Sequence, residues 1–281
     1  MNVLVTGARG MIGSALVQGL LAAGHSVVAI DRIGGDSDAP RCHFRQVDLA
    51  NKPRLREMAD SLRVDRFIHL AALAHTNGES DLSWQRYCHV NVECAQNLFA
   101  VAGERPVLFI STIDVYGFFD GKTPVTSETP VHPVTFYAKS KVLAETECRK
   151  LPRFDIFRFS PVYTPDVKRD IQKRYYLKYP SLAYRIGKGA EYEVLDIRTA
   201  VAAMVSWCAA APSNAVHIIK DSARLDTAAI LRAEKAAGRA RVVLPVPRFA
   251  ALAAYALVRL FLGRSPKAYL LNKAVHPLRS A

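Results

Sequence analysis

Asn2-Val3-Leu4-Val5-Thr6-Gly7-Ala8-Arg9-Gly10-Met11-Ile12-Gly13 decides how the rest of the chain is read. The apolar run at residues 3–5 reads as a buried strand, the glycines mark a tight turn, and an apolar helical pattern starts near residue 11. In such a strand–turn–helix unit, glycines let the backbone approach a diphosphate. The helix N-terminus adds free N–H groups and a positive dipole end. Three glycines alone are a weak signal. Here the next strand pattern, Ser26–Ile30, leads into Asp31, where a carboxylate accepts hydrogen bonds from an adenosine ribose. Gly7, Gly10, Gly13 and Asp31 together read as a dinucleotide site, with an ordinary βα turn as the alternative. Asp31 repels a 2′-phosphate and favours NAD, whereas Arg9 and Arg32 flank the same spot and keep NADP open. Asp48, at the end of the third strand pattern, meets the adenine edge or simply turns the chain.

Working outward, further strand patterns lie at His43–Val47, Phe67–Leu70, Val107–Ser111 and Asp155–Phe159. Helical patterns at 11–23, 52–62, 81–102 and 136–150 separate them, with a glycine-containing connection at 31–42. This alternation predicts an α/β fold, a doubly wound parallel Rossmann sheet with a small C-terminal lobe packed beside it, the lobe that binds substrate if the chain is an enzyme. The expected division is 1–160 for the dinucleotide-binding domain, 161–246 mainly for the lobe, and 247–281 for an apolar, basic helix and tail. Within the lobe the pattern predicts a helix over 166–180 and two short strands around Gly187-Lys188-Gly189. A helix at 197–211, a strand at Ala215–Ile219 and a helix at 226–237 follow.

At 281 residues, half of them hydrophobic, the chain is long enough for a substantial core. The net charge of +13 is uneven. Residues 1–148 carry 14 bases and 16 acids, 149–188 carry 11 and 3, 189–234 carry 4 and 6, and 235–281 carry 9 and none. No nucleic-acid-binding motif accompanies this charge, so a nucleic-acid partner is not expected. The five cysteines are scattered and lack a CxxC pair. Neither a disulfide framework nor a metal site is expected, and the reducing cytoplasm is the expected compartment. Residues 2–6 read as a strand rather than a secretion signal.

Tyr137-Ala138-Lys139-Ser140-Lys141 places a Tyr and a Lys four apart on one helix face, with Lys139 turned away. A phenol has an ordinary pKa of about 10. A nearby ammonium stabilises the phenolate and brings it toward working pH. Upstream, Ser111 and Thr112 end a strand at the carboxyl edge of the sheet, where ligands bind. Either hydroxyl holds a substrate oxygen near Tyr137.

The glycine turn, His69-Leu70-Ala71-Ala72, Asn91-Val92 with Asn97-Leu98, Ser111-Thr112 with Val115-Tyr116-Gly117, Tyr137 with Lys141, and the segment 158–165 occur in order over roughly residues 1–220. In these the chain resembles the extended short-chain dehydrogenase/reductase family, whose best-known members act on nucleotide sugars. The resemblance implies that Tyr137 is the acid/base, Lys141 orients the nicotinamide ribose, and Thr112 binds the reacting hydroxyl. It implies further cofactor contacts from Met11, Ile12, Arg32, Asp48, Leu49, Leu70, Ala71, Ala72, Ala74 and Asn91. Sugar dehydratases of this family carry two acids after the Thr; here Ile113 and Asp114 stand there, which disfavours dehydration. Pro161 replaces an Asn that many epimerases use on the substrate diphosphate. His75 is similar to a pocket residue of some 4-keto-sugar reductases. Arg174, Arg185 and Arg198 are candidates for the diphosphate, with Ser111 and Asp114 as further substrate contacts.

The expected function is an NAD-dependent nucleotide-sugar epimerase or oxidoreductase, 4-epimerisation leading, with a homodimer as the expected assembly. A 4-keto-sugar reductase, a steroid-type dehydrogenase and a non-catalytic NAD sensor are the alternatives. Residues 247–267 form an almost wholly apolar stretch with Arg248, Arg259, Arg264 and Lys267. It reads as a packed helix, a subunit contact, or a helix lying on a membrane surface, being too short to span one.

Overall fold

Strand β1 (Asn2–Thr6) is buried along Val3–Thr6, and its apolar run places it centrally in a sheet covered on both faces. In the computed structural model, which describes residues 1–74, 83–164, 166 and 169–281, the chain divides into two units. One comprises 1–113, 135–159 and 197–219; the other comprises 114–134, 160–196 and 220–281. This corrects the expected consecutive division at 160 and 246. The segment 197–219 returns to the first unit because its strand completes the main sheet.

The first unit contains β2 (Ser26–Asp31), β3 (Ser37–Ala39), β4 (Cys42–Gln46), β5 (Arg66–His69), β6 (Val107–Thr112), β7 (Phe154–Phe159) and β13 (Val216–Ile219). Among the described residues these join β1 in an eight-stranded sheet of order β13-β7-β6-β5-β1-β2-β4-β3. All pairs are parallel except β3–β4. Strand order reverses between β1 and β5, the switch point where doubly wound sheets bind ligands. Its helices are α1 (Met11–Ala22), α2 (Lys52–Ser61), α3 (Trp84–Cys88), α4 (Cys94–Ala102), α5 (Phe136–Cys148) and α7 (Ile197–Ala209). The periodicity over 81–102 is interrupted by a π-helical turn, His89–Glu93, between α3 and α4. Leu4, Ile30, Phe67, Phe109 and Ile156 from the sheet meet Leu55, Leu98 and Phe99 from the helices in one buried core.

The second unit has a core of its own around Ile171, Tyr175, Tyr176, Ala183, Val194, Leu231 and Ala240. The helix expected over 166–180 is replaced by a short α6 (Arg169–Gln172) and a strand β9 (Tyr176–Lys178). Strand β10 (Leu182–Ile186) joins β9 to β15 (Val242–Val246). Two-residue strands β8 (Val162–Tyr163) with β12 (Leu195–Asp196), and β11 (Glu191–Tyr192) with β14 (Leu225–Asp226), complete its pairing. Helix α8 (Thr227–Ala236) follows, and the tail forms two helices, α9 (Arg248–Leu262) and α10 (Pro266–Val275).

Candidate active site

The turn after β1 requires its glycines. Gly7 takes φ +68°, and a Cβ there would come within 2.9 Å of the Ala71 backbone. A Cβ on Gly13 would run into the Gly7 carbonyl oxygen, so strand and helix pass each other with no room for a side chain. Gly10 is the N-cap of α1 and no side chain caps that helix, which leaves first-turn N–H groups for a ligand. Met11 is exposed there and Ile12 half-buried. Such a cradle, bare of side chains at a helix N-terminus, fits a dinucleotide diphosphate.

At the end of β2, Asp31 accepts from the Arg9 N–H (3.0 Å) and the Arg32 N–H (2.8 Å). The carboxylate is therefore fixed beside the glycine turn. The Arg9 guanidinium is engaged elsewhere: it donates to the Gly34 carbonyl (2.9 Å) and lies 4.2 Å above the Phe44 ring. The Arg32 side chain is exposed. Asp48 accepts from the Ala50 N–H (2.9 Å), as a turn residue does, while Leu49 beside it is buried.

Residues 70–74 leave β5 as an extended segment held at two points. Thr6 Oγ1 meets His69 Nδ1 (2.7 Å) and accepts from the Ala71 N–H (3.1 Å). Asn91, expected to contact cofactor, accepts from the Leu73 N–H (2.7 Å) and donates to the Leu73 carbonyl (3.1 Å) and Ser140 Oγ (2.9 Å). This buried amide sits in the π-helical turn and ties Leu73, within the segment 70–74, to Ser140 on α5. Thr6 and Ser140 escaped sequence reading, since a hydroxyl within a strand or helix carries no pattern of its own. His69 is fully buried; burial, with Lys141 nearby, pushes its pKa down to about 3 and keeps the ring neutral.

Tyr137 and Lys141 lie one turn apart on α5, whose first turn is capped by Thr135 accepting from the Ala138 N–H (3.1 Å). Tyr137 is half-buried, Lys139 is exposed, and Lys141 is only 3% exposed. The Lys141 ammonium sits 4.3 Å above the Phe109 ring. Loss of hydration lowers its pKa to about 7, although Glu145 one turn further on favours the charged form. Thr112, at the end of β6, is half-buried. Ser111, expected as a substrate contact, is buried and donates its hydroxyl to Glu145 (2.5 Å). Glu145 in turn accepts from Arg158 Nε (3.1 Å) and a terminal nitrogen (2.7 Å), both residues being buried.

Asp114 lies in the second unit, where Lys273 Nζ (2.5 Å) and the Tyr269 hydroxyl (3.2 Å) bind its carboxylate. These partners come from α10, some 155 residues on, beyond the reach of any local motif. Of the three candidate arginines, Arg185 and Arg198 are exposed. Arg174 is half-buried, lies 4.4 Å above the Tyr192 ring, and has a buried Nε without a hydrogen-bond partner. His75 lies outside the described residues.

Residues 3–206 match the model of the NAD dependent epimerase/dehydratase family. The chain is 32% identical over 170 residues to UDP-glucose 4-epimerase 2 of Arabidopsis thaliana, covering 55% of this chain and 48% of that one. It is 33% identical over 168 residues to a probable low-salt glycan biosynthesis reductase of Haloferax volcanii, covering 58% and 54%. It thus spans about half the length of the relatives it matches. The solved UDP-glucuronic acid 4-epimerase from Bacillus cereus in complex with NAD superposes with a TM-score of 0.70 at 22% identity, covering 99% of this chain and 97% of that one. That likeness shows the fold, and the family match over most of the length shows more: the chain belongs to the NAD dependent epimerase/dehydratase family.

Proposed function

We propose that this chain is a nucleotide-sugar epimerase that inverts a carbinol carbon, 4-epimerisation being the leading reaction, with NAD retained throughout. One observation carries the reading: a buried Lys141 one turn from a half-buried Tyr137 on α5, with Thr112 at the carboxyl end of β6. The glycine cradle of Gly7, Gly10 and Gly13 would hold the NAD diphosphate and Asp31 the adenosine ribose. Bound NAD supplies reversible hydride chemistry. Tyr137 takes the hydroxyl proton as the carbinol is oxidised and returns it when the keto sugar presents its other face. Lys141, when charged, favours the phenolate form of Tyr137, and the Thr112 hydroxyl orients the reacting oxygen.

Dehydration at the neighbouring carbon needs a free acid or base next to Thr112. Ile113 is apolar and Asp114 is held by Lys273 and Tyr269, which supports epimerisation over dehydration. A 4-keto-sugar reductase is the second reading, favoured by the similarity to the Haloferax protein. Five free cysteines support a reducing compartment such as the cytoplasm, and the exposed Leu143 and Phe136 of α5 offer an apolar face for a homodimer.

Incubation with a panel of UDP- and dTDP-sugars tests the reading. Product without net NAD(P)H consumption is expected; stoichiometric NADH or NADPH loss on a keto sugar would select the reductase instead. Tyr137→Phe is expected to lower turnover at least ~100-fold, and undiminished turnover in that variant would sink the mechanism.

A further inference from the structure

Helix α9 is fifteen residues long and has no buried residue. At 100° per residue, Phe249, Ala253, Ala256, Leu257 and Leu260 fall within an arc of about 100°, with Phe261 at its margin. The side chains on this arc face solvent: Phe249 and Leu260 are each 76% exposed and Phe261 78%. The opposite side is occupied within the second unit. Tyr255 meets the His276 ring and the Asn272 amide, and the Arg259 guanidinium lies 4.5 Å above the Phe118 ring. The exposed arc is therefore not the side by which α9 is held.

A contiguous stripe of Phe and Leu in water is unusual for a soluble surface and marks an interaction face. Its surroundings identify the occupant. Arg248 begins the helix, Arg264 and Lys267 follow it, all three exposed, and none has an acid at ion-pair distance among the described residues. From residue 235 to 281 there are nine bases and no acid. A second copy docked here would bring the same bases against one another, so the charge selects an anionic partner. Among the described residues no helix is long and apolar enough to cross a membrane, whereas α9, about 22 Å long, suits a helix lying in the interface.

We propose that α9 is a peripheral membrane anchor, inserting Phe249, Leu257, Leu260 and Phe261 into one leaflet while Arg248, Arg264 and Lys267 engage anionic lipid headgroups. Apolar insertion and basic attraction are each weak alone and sufficient together, so binding depends on both and on ionic strength. The inference stands apart from the enzymatic reading, since no residue of α9 belongs to the candidate catalytic set.

The experiment is co-sedimentation of the full chain with vesicles of phosphatidylcholine alone or mixed with phosphatidylglycerol. Binding to the anionic vesicles is expected, weakening as salt is raised. The combined substitution Phe249→Ser, Leu260→Ser and Phe261→Ser is expected to lower that binding at least tenfold with an unchanged unfolding temperature. Arg264→Gln with Lys267→Gln is expected to flatten the salt dependence. Tyr137→Phe is expected to bind as the wild type does, which separates this result from failure of the catalytic assignment. No binding to either vesicle, or full binding by the triple serine variant, overturns the proposal. So does a dimer that the serine variant dissociates in the absence of lipid, because the face then belongs to a second copy.

Discussion

Lys141 carries a cost that its neighbours only partly offset. Its amine is enclosed by Phe109 and α5, and burial brings its pKa from 10.5 to about 7. The folded-state value lies below the unfolded one, so between about pH 7 and 10.5 the unfolded chain binds the extra proton. The contribution of Lys141 to stability therefore rises with pH across that window, and the full penalty for charging it is felt below it. Lys141→Met removes the titration. Relative to wild type, the variant is expected to be more stable at pH 6 than at pH 9 by ~1–3 kcal/mol, read from urea unfolding at the two values. A difference that does not change with pH would show that Lys141 stays hydrated. The Tyr137–Lys141 spacing was legible in the sequence because a helix face is a local property. The burial was not, since it depends on Phe109, and on Ser140 meeting Asn91, 49 residues away.

Three elements of the first unit are tied by ionic chemistry that leaves no pattern in the sequence. Glu145 on α5 accepts from Ser111 on β6 and from two nitrogens of Arg158 on β7. The pair is 3–4% exposed at the side-chain level, so each charge relies on the other. Glu145→Gln leaves Arg158 buried against an uncharged amide and is expected to cost ~3–5 kcal/mol. The denaturant midpoint should fall with the slope unchanged; a midpoint within error of wild type would mean that water solvates the guanidinium. Ser111→Ala removes one of several bonds and should cost about 1 kcal/mol. The elements themselves were largely legible wherever the apolar period was long: β1, β2, β6, β7 and α5 lie within a few residues of their expected bounds. The helix expected over 166–180 fails for a physical reason. Ile171 and Tyr175 have helical spacing, yet both serve the separate core with Tyr176 and Ala183, and the chain turns into β9 to bring Tyr176 there.

Across the whole molecule, the interleaving of the two units was the least legible feature, because it is set by contacts between distant segments. The second unit gathers 114–134, 160–196 and 220–281, and its tail is secured by a buried carboxylate. Glu193 accepts from the Ser280 N–H (3.0 and 3.1 Å) and the Ser280 hydroxyl (2.7 Å). Lys220 Nζ bridges Glu193 (3.1 Å) and the Ser280 carbonyl (2.6 Å), and Val125 pairs with Ser280 in a parallel bridge. Three segments, those of Val125, Glu193 and Lys220, thus converge on Ser280 beyond α10, and α10 itself carries Lys273 to Asp114. Removing Ser280 and Ala281 would leave the Glu193 carboxylate, on a residue 5% exposed, with Lys220 as its remaining partner. The expected loss is ~1–3 kcal/mol, seen as a lower unfolding temperature. Glu193→Gln in the truncated chain should recover part of it, because a neutral amide is cheaper to leave unpaired than a carboxylate. An unfolding temperature that truncation does not move would show that the clamp contributes nothing, and that the core around Tyr175 and Leu231 alone sets the stability of this unit.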